Sequence, residues 1–259
     1  MKIGNRSVKK IASSVFQKRH WRAFVNMMTV YKNFPSMFTR YFFATGNYPY
    51  EAKLKTKQNK RIVGVTTYCH DDILTVNEIF CRKDYETNRQ AKIIVDIGSN
   101  IGISALYFLT RNDYSYCYLY EPVPQNIDKL KGNLRDFENR YCLGEFAVSD
   151  ENAILEFGIE DTGRYGGIGV LTGKNIEVKC VHINDILADI FEKHEYIDVL
   201  KVDTEGAEIK TVLAIESEYL YKIRAIYVEA YLDEPLLPPD LFTQTQYGGV
   251  CRLHNKNRL

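Results

Sequence analysis

The sequence predicts an α/β fold: a mostly parallel sheet with helices on both faces, preceded by a helical N-terminal arm and a β-hairpin. Three observations predict it. From residue 92 onward, apolar runs of strand length (KIIVDI, YCYLYE, IDVLKVD) alternate with segments of helix length. The first run is continuous rather than alternating, as in a strand covered on both faces. A glycine turn, DIGSNIG, stands where it passes into a helix, and several βα units in succession imply parallel pairing.

The composition suits such a fold. Of 259 residues, 45% are hydrophobic and 26% charged, which argues against a disordered chain, collagen or a coiled coil. Nothing approaches the roughly 18 uninterrupted apolar residues of a membrane span. The basic N-terminus lacks an apolar stretch behind it, so no secretory signal is expected and the cytoplasm is the expected location. Cys69, Cys81, Cys117, Cys142, Cys180 and Cys251 form no CxxC pair, and read as buried thiols in a reducing compartment.

The net charge of +1 conceals an asymmetry. Residues 1–61 contain fourteen Lys or Arg and one acid, Glu51, leaving twenty basic and thirty-two acidic residues for the remainder. The first segment is therefore +13 and the rest −12. Either the arm docks on an acidic body or it faces an anionic partner.

The elements follow in order. Residues 8–31 carry apolar side chains at steps of three and four, among them Val8, Ile11, Val15, Trp21, Val25 and Met28, which predicts a helix. Such a helix packs on the main domain, or rests through residues 1–32 on an anionic membrane. The β-branched stretches 61–67 and 73–80 predict two strands, with Cys69-His70-Asp71-Asp72 as the turn between them. One His beside two acids lacks the spaced ligands of a metal site. Strands are then expected at 92–97, 116–121, 142–149, 197–203 and 223–230, with helices at 102–111, 124–136 and about 206–215. An inserted β pair is expected at 154–159 and 176–183, and between its strands the glycine-rich 161–169 reads as a mobile lid or a hairpin tip.

Three clusters carry chemistry. In Asp96-Ile97-Gly98-Ser99-Asn100-Ile101-Gly102, Gly98 permits a tight turn and close approach of a ligand, and the helix start offers N–H groups. The dinucleotide fingerprint needs further glycines, but Asn100 and Ile103 occupy their places; the P-loop lysine is also missing. Glu121, at the tip of the next strand, suits a ribose diol. Together these describe a pocket for S-adenosylmethionine better than one for a dinucleotide. The third cluster, Lys201-Val202-Asp203-Thr204-Glu205-Gly206-Ala207-Glu208, lies at the carboxyl end of the fourth strand, where open α/β sheets bind ligands.

The stretches IIVDIGSNIGISALYF, YLYEPVPQNIDKLKGNL, FAVSDENAILEF and IDVLKVDTEGAE resemble the FkbM family of S-adenosylmethionine-dependent methyltransferases over about 93–230. The segment 71–85 is similar to the lead-in of members associated with polysaccharide biosynthesis. The resemblance implies a class I, Rossmann-like fold, divided as a basic arm (1–60), a β lead-in (61–90) and a methyltransferase domain (91–259). It implies that Asp96, Gly98, Ser99, Asn100 and Gly102 hold the methionine end of the cofactor, that Glu121 takes the ribose, and that Phe146, Ala147 and Val148 bound the adenine. It puts Asp203 and Glu205 before the transferred methyl and a hydroxyl-bearing acceptor, a sugar, glycan or related metabolite.

For the proton released by that hydroxyl, Asp203 or Glu205 is the first choice of base, ahead of His182 and Glu229. No metal is assigned. The chain departs from the family where Asn184-Asp185 replaces a pair of acids, and where the 29 residues after 230, with LFTQTQ as a helix and GGVCRLH as a strand, leave the closing antiparallel strands in question. Nucleic acid is the weaker acceptor, because no Asn-Pro-Pro-Tyr-type motif is present. A non-catalytic module anchored by the basic arm is the reading from outside enzymology.

Overall fold

The structure, a computed structural model, describes residues 2–3, 6–7, 18–56, 61–159, 166–168 and 175–258, with side chains from 21–56, 61–158 and 175–258. The predicted helical stretch 8–17 lies outside them. The chain forms two compact units, Met1–Glu86 and Thr87–Leu259.

In the first unit, α1 (Lys18–Val30) and α2 (Phe34–Phe43) are followed by a hairpin of β1 (Tyr50–Lys55) and β2 (Ile62–Thr67), and then by α3 (His70–Val76), which continues as a π-helical turn over Asn77–Arg82. Two expectations change here. The partner of β2 is β1, with Leu54 opposite Val63, and not the segment 73–80. That segment is helical. Its β-branched composition suggested a strand, but Ile73, Val76 and Ile79 are buried at steps of three, and periodicity outweighs propensity. The acids taken for a turn cap the helix: Asp72 accepts the N–H of Tyr68 (2.6 Å) and Cys69 (3.2 Å).

The second unit is built on a seven-stranded sheet. In chain order come β3 (Ile93–Ile97), α4 (Ile103–Leu109), β4 (Tyr116–Tyr120), α5 (Pro124–Asn133) and β5 (Tyr141–Gly144). β6 (Ala147–Ser149), β7 (Ala153–Ile159), β8 (Gly166–Ile168) and β9 (Asn175–His182) form a second sheet in the order β8-β7-β9-β6. α6 (Ile183–Phe191), β10 (Val199–Val202), α7 (Glu208–Leu213) and β11 (Ala225–Val228) follow. β12 (Phe242–Tyr247) and β13 (Val250–Asn255) close the first sheet, in the order β12-β13-β11-β10-β3-β4-β5. The five strands β11-β10-β3-β4-β5 run parallel, and β13 is antiparallel to both β11 and β12.

The closing antiparallel pair is therefore present. LFTQTQ forms a strand rather than a helix, pairing Phe242 with Asn255 and Tyr247 with Val250. The predicted strand 142–149 divides at Glu145-Phe146, its halves entering different sheets. β3, β10 and β11 are buried over most of their length, and every residue of α4 is buried, so continuous apolar runs replace amphipathic stripes. Strand order reverses between β3 and β10, so the crevice expected in such a sheet opens beyond their carboxyl ends.

Candidate functional site

The parallel register sets Lys201 of β10 beside Asp96 of β3. Both side chains are almost wholly enclosed. The Lys201 ammonium lies 3.0 Å from Asp96 Oδ1 and 3.2 Å from Asp203 Oδ2, and donates to the Gly98 carbonyl (3.0 Å). Burial alone would discharge the lysine, but Asp96 and Asp203 overcome it and hold the ammonium above its ordinary value. Asp96 accepts a further bond from Ser104 Oγ (2.5 Å). Burial raises its carboxyl, and Lys201 and Ser104 oppose the rise. An isolated charge at this depth would be prohibitive, and the network compensates for it.

Gly98 (φ +75°) follows β3, and a Cβ there would lie 1.7 Å from the Asp203 carbonyl oxygen. The glycine thus lets two strand tips touch; the close approach expected of a ligand is made by the chain itself. The expected free N–H groups are also engaged. Those of Gly98 and Ser99 donate to Tyr120 O, that of Gly102 to Ser99 O, and that of Asn100, itself left-handed (φ +47°), to Glu121 Oε2 (2.8 Å).

Glu121 is buried, and burial raises its carboxyl against the hydrogen bonds it accepts. Its Oε1 takes the Val123 N–H (3.0 Å) and Asn126 Nδ2 (3.2 Å), so one of about four acceptor positions remains, on Oε2. Opposite, Glu208 accepts the N–H groups of Thr204 and Gly206 and pins the turn between them. Within that turn, Glu205 stands exposed in the left-handed region (φ +55°), an uncommon conformation for a side chain of its size.

These tips border a cleft of about 560 Å³, its open mouth included. Gly98, Asn100, Glu121, Asp203 and Glu205 line it, and Phe146, Ala147, Val148 and Phe157 form an apolar wall. Asp96, Ser99 and Gly102 do not reach it. Asp96 is spent on Lys201, Ser99 Oγ bonds the Asp96 carbonyl (2.7 Å), and Gly102 lets α4 pack on Leu130 and Leu134. These three hold the loop rather than face the cleft.

The sequence reading gave no individual role to Asn126, Thr204, Phe157 or Lys201. Asn126 and Thr204 line the cleft, and Asn126 Oδ1 and Thr204 Oγ1 are buried there without a hydrogen-bond partner. The signal for Asn126 was its position five residues after Glu121, on the first turn of α5.

Neither His182 nor Glu229 lines the cleft. His182 Nδ1 caps α6 by accepting the Asn184 N–H (3.1 Å). Asn184, which replaces a family acid, ties α6 to Ala214 and Glu216. The glycine-rich 161–169 lies outside the described residues except for Gly166–Ile168. Among the described residues, no group of His, Cys, Asp and Glu converges as a metal set.

A family model described as the methyltransferase FkbM domain matches residues 96–240. Methyltransferase sdnD of Sordaria araneosa is 24% identical over 182 residues, 56% of this chain and 68% of that protein. 2-O-methyltransferase NoeI of Sinorhizobium fredii is 30% identical over 162 residues, and the match spans 56% of this chain and 65% of NoeI. Among solved structures, methyltransferase FkbM from Methylobacillus flagellatus KT shares 15% identity at a TM-score of 0.45, over 71% of this chain and 54% of that one.

Proposed function

Because the chain belongs to the FkbM methyltransferase family, we propose that it transfers the methyl group of S-adenosylmethionine to a hydroxyl of a sugar, polysaccharide or related metabolite. The fold is the class I methyltransferase α/β sheet, and the proposed cofactor site is the cleft at its order reversal. The observation that carries the reading is the pairing, in one cleft, of a buried acceptor edge with an apolar wall. Asn126 Oδ1 is buried without a partner, and Glu121 beside it keeps one acceptor position on Oε2. Two neighbouring acceptors suit a vicinal diol. Phe146, Ala147, Val148 and Phe157 suit a purine. The residues present thus fit the cofactor.

When bound, S-adenosylmethionine supplies the electrophilic methyl and its own leaving group. The chain's task is alignment and proton handling, and alignment alone contributes up to ~7–11 kcal/mol. Lys201 fixes Asp203 at the β10 tip, so Asp203 serves to orient. A carboxylate oxygen of Glu205, exposed at the mouth, takes the proton of the acceptor hydroxyl. The apolar wall excludes water from the transfer. That NoeI is named a 2-O-methyltransferase supports a hydroxyl acceptor.

Calorimetry with S-adenosylmethionine and S-adenosylhomocysteine tests the cleft. Glu121→Ala should weaken both ligands about 10–100-fold and Asn126→Leu about 5-fold, as expected for charged and neutral hydrogen bonds. Unchanged affinity in both folded variants would remove the cleft from the reading. Labelled-methyl tracing in a lysate tests the acceptor. Glu205→Gln should lower turnover about 10²–10⁴-fold at unchanged S-adenosylhomocysteine affinity. Label in nucleic acid rather than glycan would overturn the acceptor class.

A further inference from the structure

We propose that the outer face of α1 seats this protein on an anionic phospholipid surface. The inference concerns the first unit and stands apart from the cleft. α1 has two apolar stripes. Ala23 and Met27 form the inner one and are buried; Asn26 Nδ2 fastens that side to the Cys81 carbonyl (2.7 Å). The outer stripe, Trp21, Val25 and Met28, recurs at steps of four and three, so its members share one face. They are 57%, 52% and 47% exposed. Phe43, also largely exposed, adjoins through the rings of Phe38 and Phe24. A contiguous exposed apolar patch marks an interaction site.

Charge selects the occupant. Residues 1–61 contain fourteen Lys or Arg against one acid, so the segment that carries this stripe is strongly cationic. Lys32 is exposed beside it, as is Arg22, whose guanidinium pairs with Glu86 (2.8 Å). A second copy of this face would bring two +13 segments together, which Coulomb repulsion opposes. A nucleic acid would use the charge but gain little from Val25 and Met28. The headgroup region of an anionic bilayer uses both, and indole side chains concentrate there. Each cation brought to such a surface contributes about a five-fold gain in partition.

Trp21 is the sole tryptophan of the chain, so its native fluorescence reports on this face directly. The full chain is titrated with phosphatidylcholine vesicles with and without phosphatidylglycerol, and with vesicles carrying brominated acyl chains. The expected result is a blue shift and bromine quenching on phosphatidylglycerol vesicles, reversed by salt. Val25→Glu/Met28→Glu, two exposed substitutions checked for retained helicity by circular dichroism, should weaken partition roughly 10–100-fold. Unchanged Trp21 emission on anionic vesicles would overturn the proposal. So would an equal shift on phosphatidylcholine alone, or a response to duplex DNA or RNA with none to vesicles.

Discussion

Gly98→Ala is the sharpest probe of how the two strand tips meet. Two costs arise. Alanine at φ +75° enters the left-handed region, at about 1–2 kcal/mol. Its Cβ would also lie 1.7 Å from the Asp203 carbonyl oxygen and 2.8 Å from the carbonyl carbon. Both neighbours are backbone, so no rotamer change relieves the overlap, and the tips of β3 and β10 must part by roughly 1.5–2 Å to restore ordinary contact. Overpacking of this kind costs about 1–3 kcal/mol. The expected loss is therefore about 2–5 kcal/mol, a large share of the ~5–15 kcal/mol that holds a domain folded. Urea unfolding followed by far-ultraviolet circular dichroism measures it. Gly132→Ala is the control: it lies in α5 with nothing within 4 Å, and should gain up to about 1 kcal/mol. Because parting the tips moves Asp203, the folded fraction of Gly98→Ala should also bind S-adenosylhomocysteine more weakly. A Gly98→Ala protein within about 0.5 kcal/mol of wild type, a change typical of an unremarkable surface site, would refute the contact between the tips.

Three further outcomes are expected. Lys201→Met leaves Asp96 and Asp203 without their counter-ion and should cost about 3–5 kcal/mol in urea midpoints; adding Asp96→Asn should recover part of it, and strict additivity would deny the network. Burial raises Glu121, so the native state holds its proton to higher pH than the unfolded chain does; its contribution to stability is complete below the ordinary glutamate value and is lost as pH rises through the raised one. Glu121→Gln should flatten that decline, and parallel stability–pH curves for the two proteins would contradict the assignment. Iodoacetamide at pH 8 followed by mass spectrometry should label exposed Cys142 first, leaving Cys81, pushed up to about 12 by burial, and enclosed Cys117 unmodified until unfolding. Early labelling of Cys81 would show that the first unit's core opens.

The amino-acid sequence by itself determined what local chemistry can express. The short, β-branched apolar run KIIVDI suits a strand covered on both faces, and the glycines after it mark a backbone that turns left-handed. Glu121, Asp203 and Glu205 stood out as acids at strand tips, and all three line the cleft. The tertiary structure decided everything that rests on partners far apart in sequence. Asp96 looked ligand-facing until the register of β3 against β10 set Lys201 beside it. Gly98 looked like room for a ligand until the Asp203 carbonyl filled it. The segment 73–80 became a helix and LFTQTQ a strand, because short stretches take the conformation that their burial and pairing reward. Local preference is worth tenths of a kcal/mol per residue, whereas leaving a buried charge without its partner costs about 3–5 kcal/mol, so the distant partner decides.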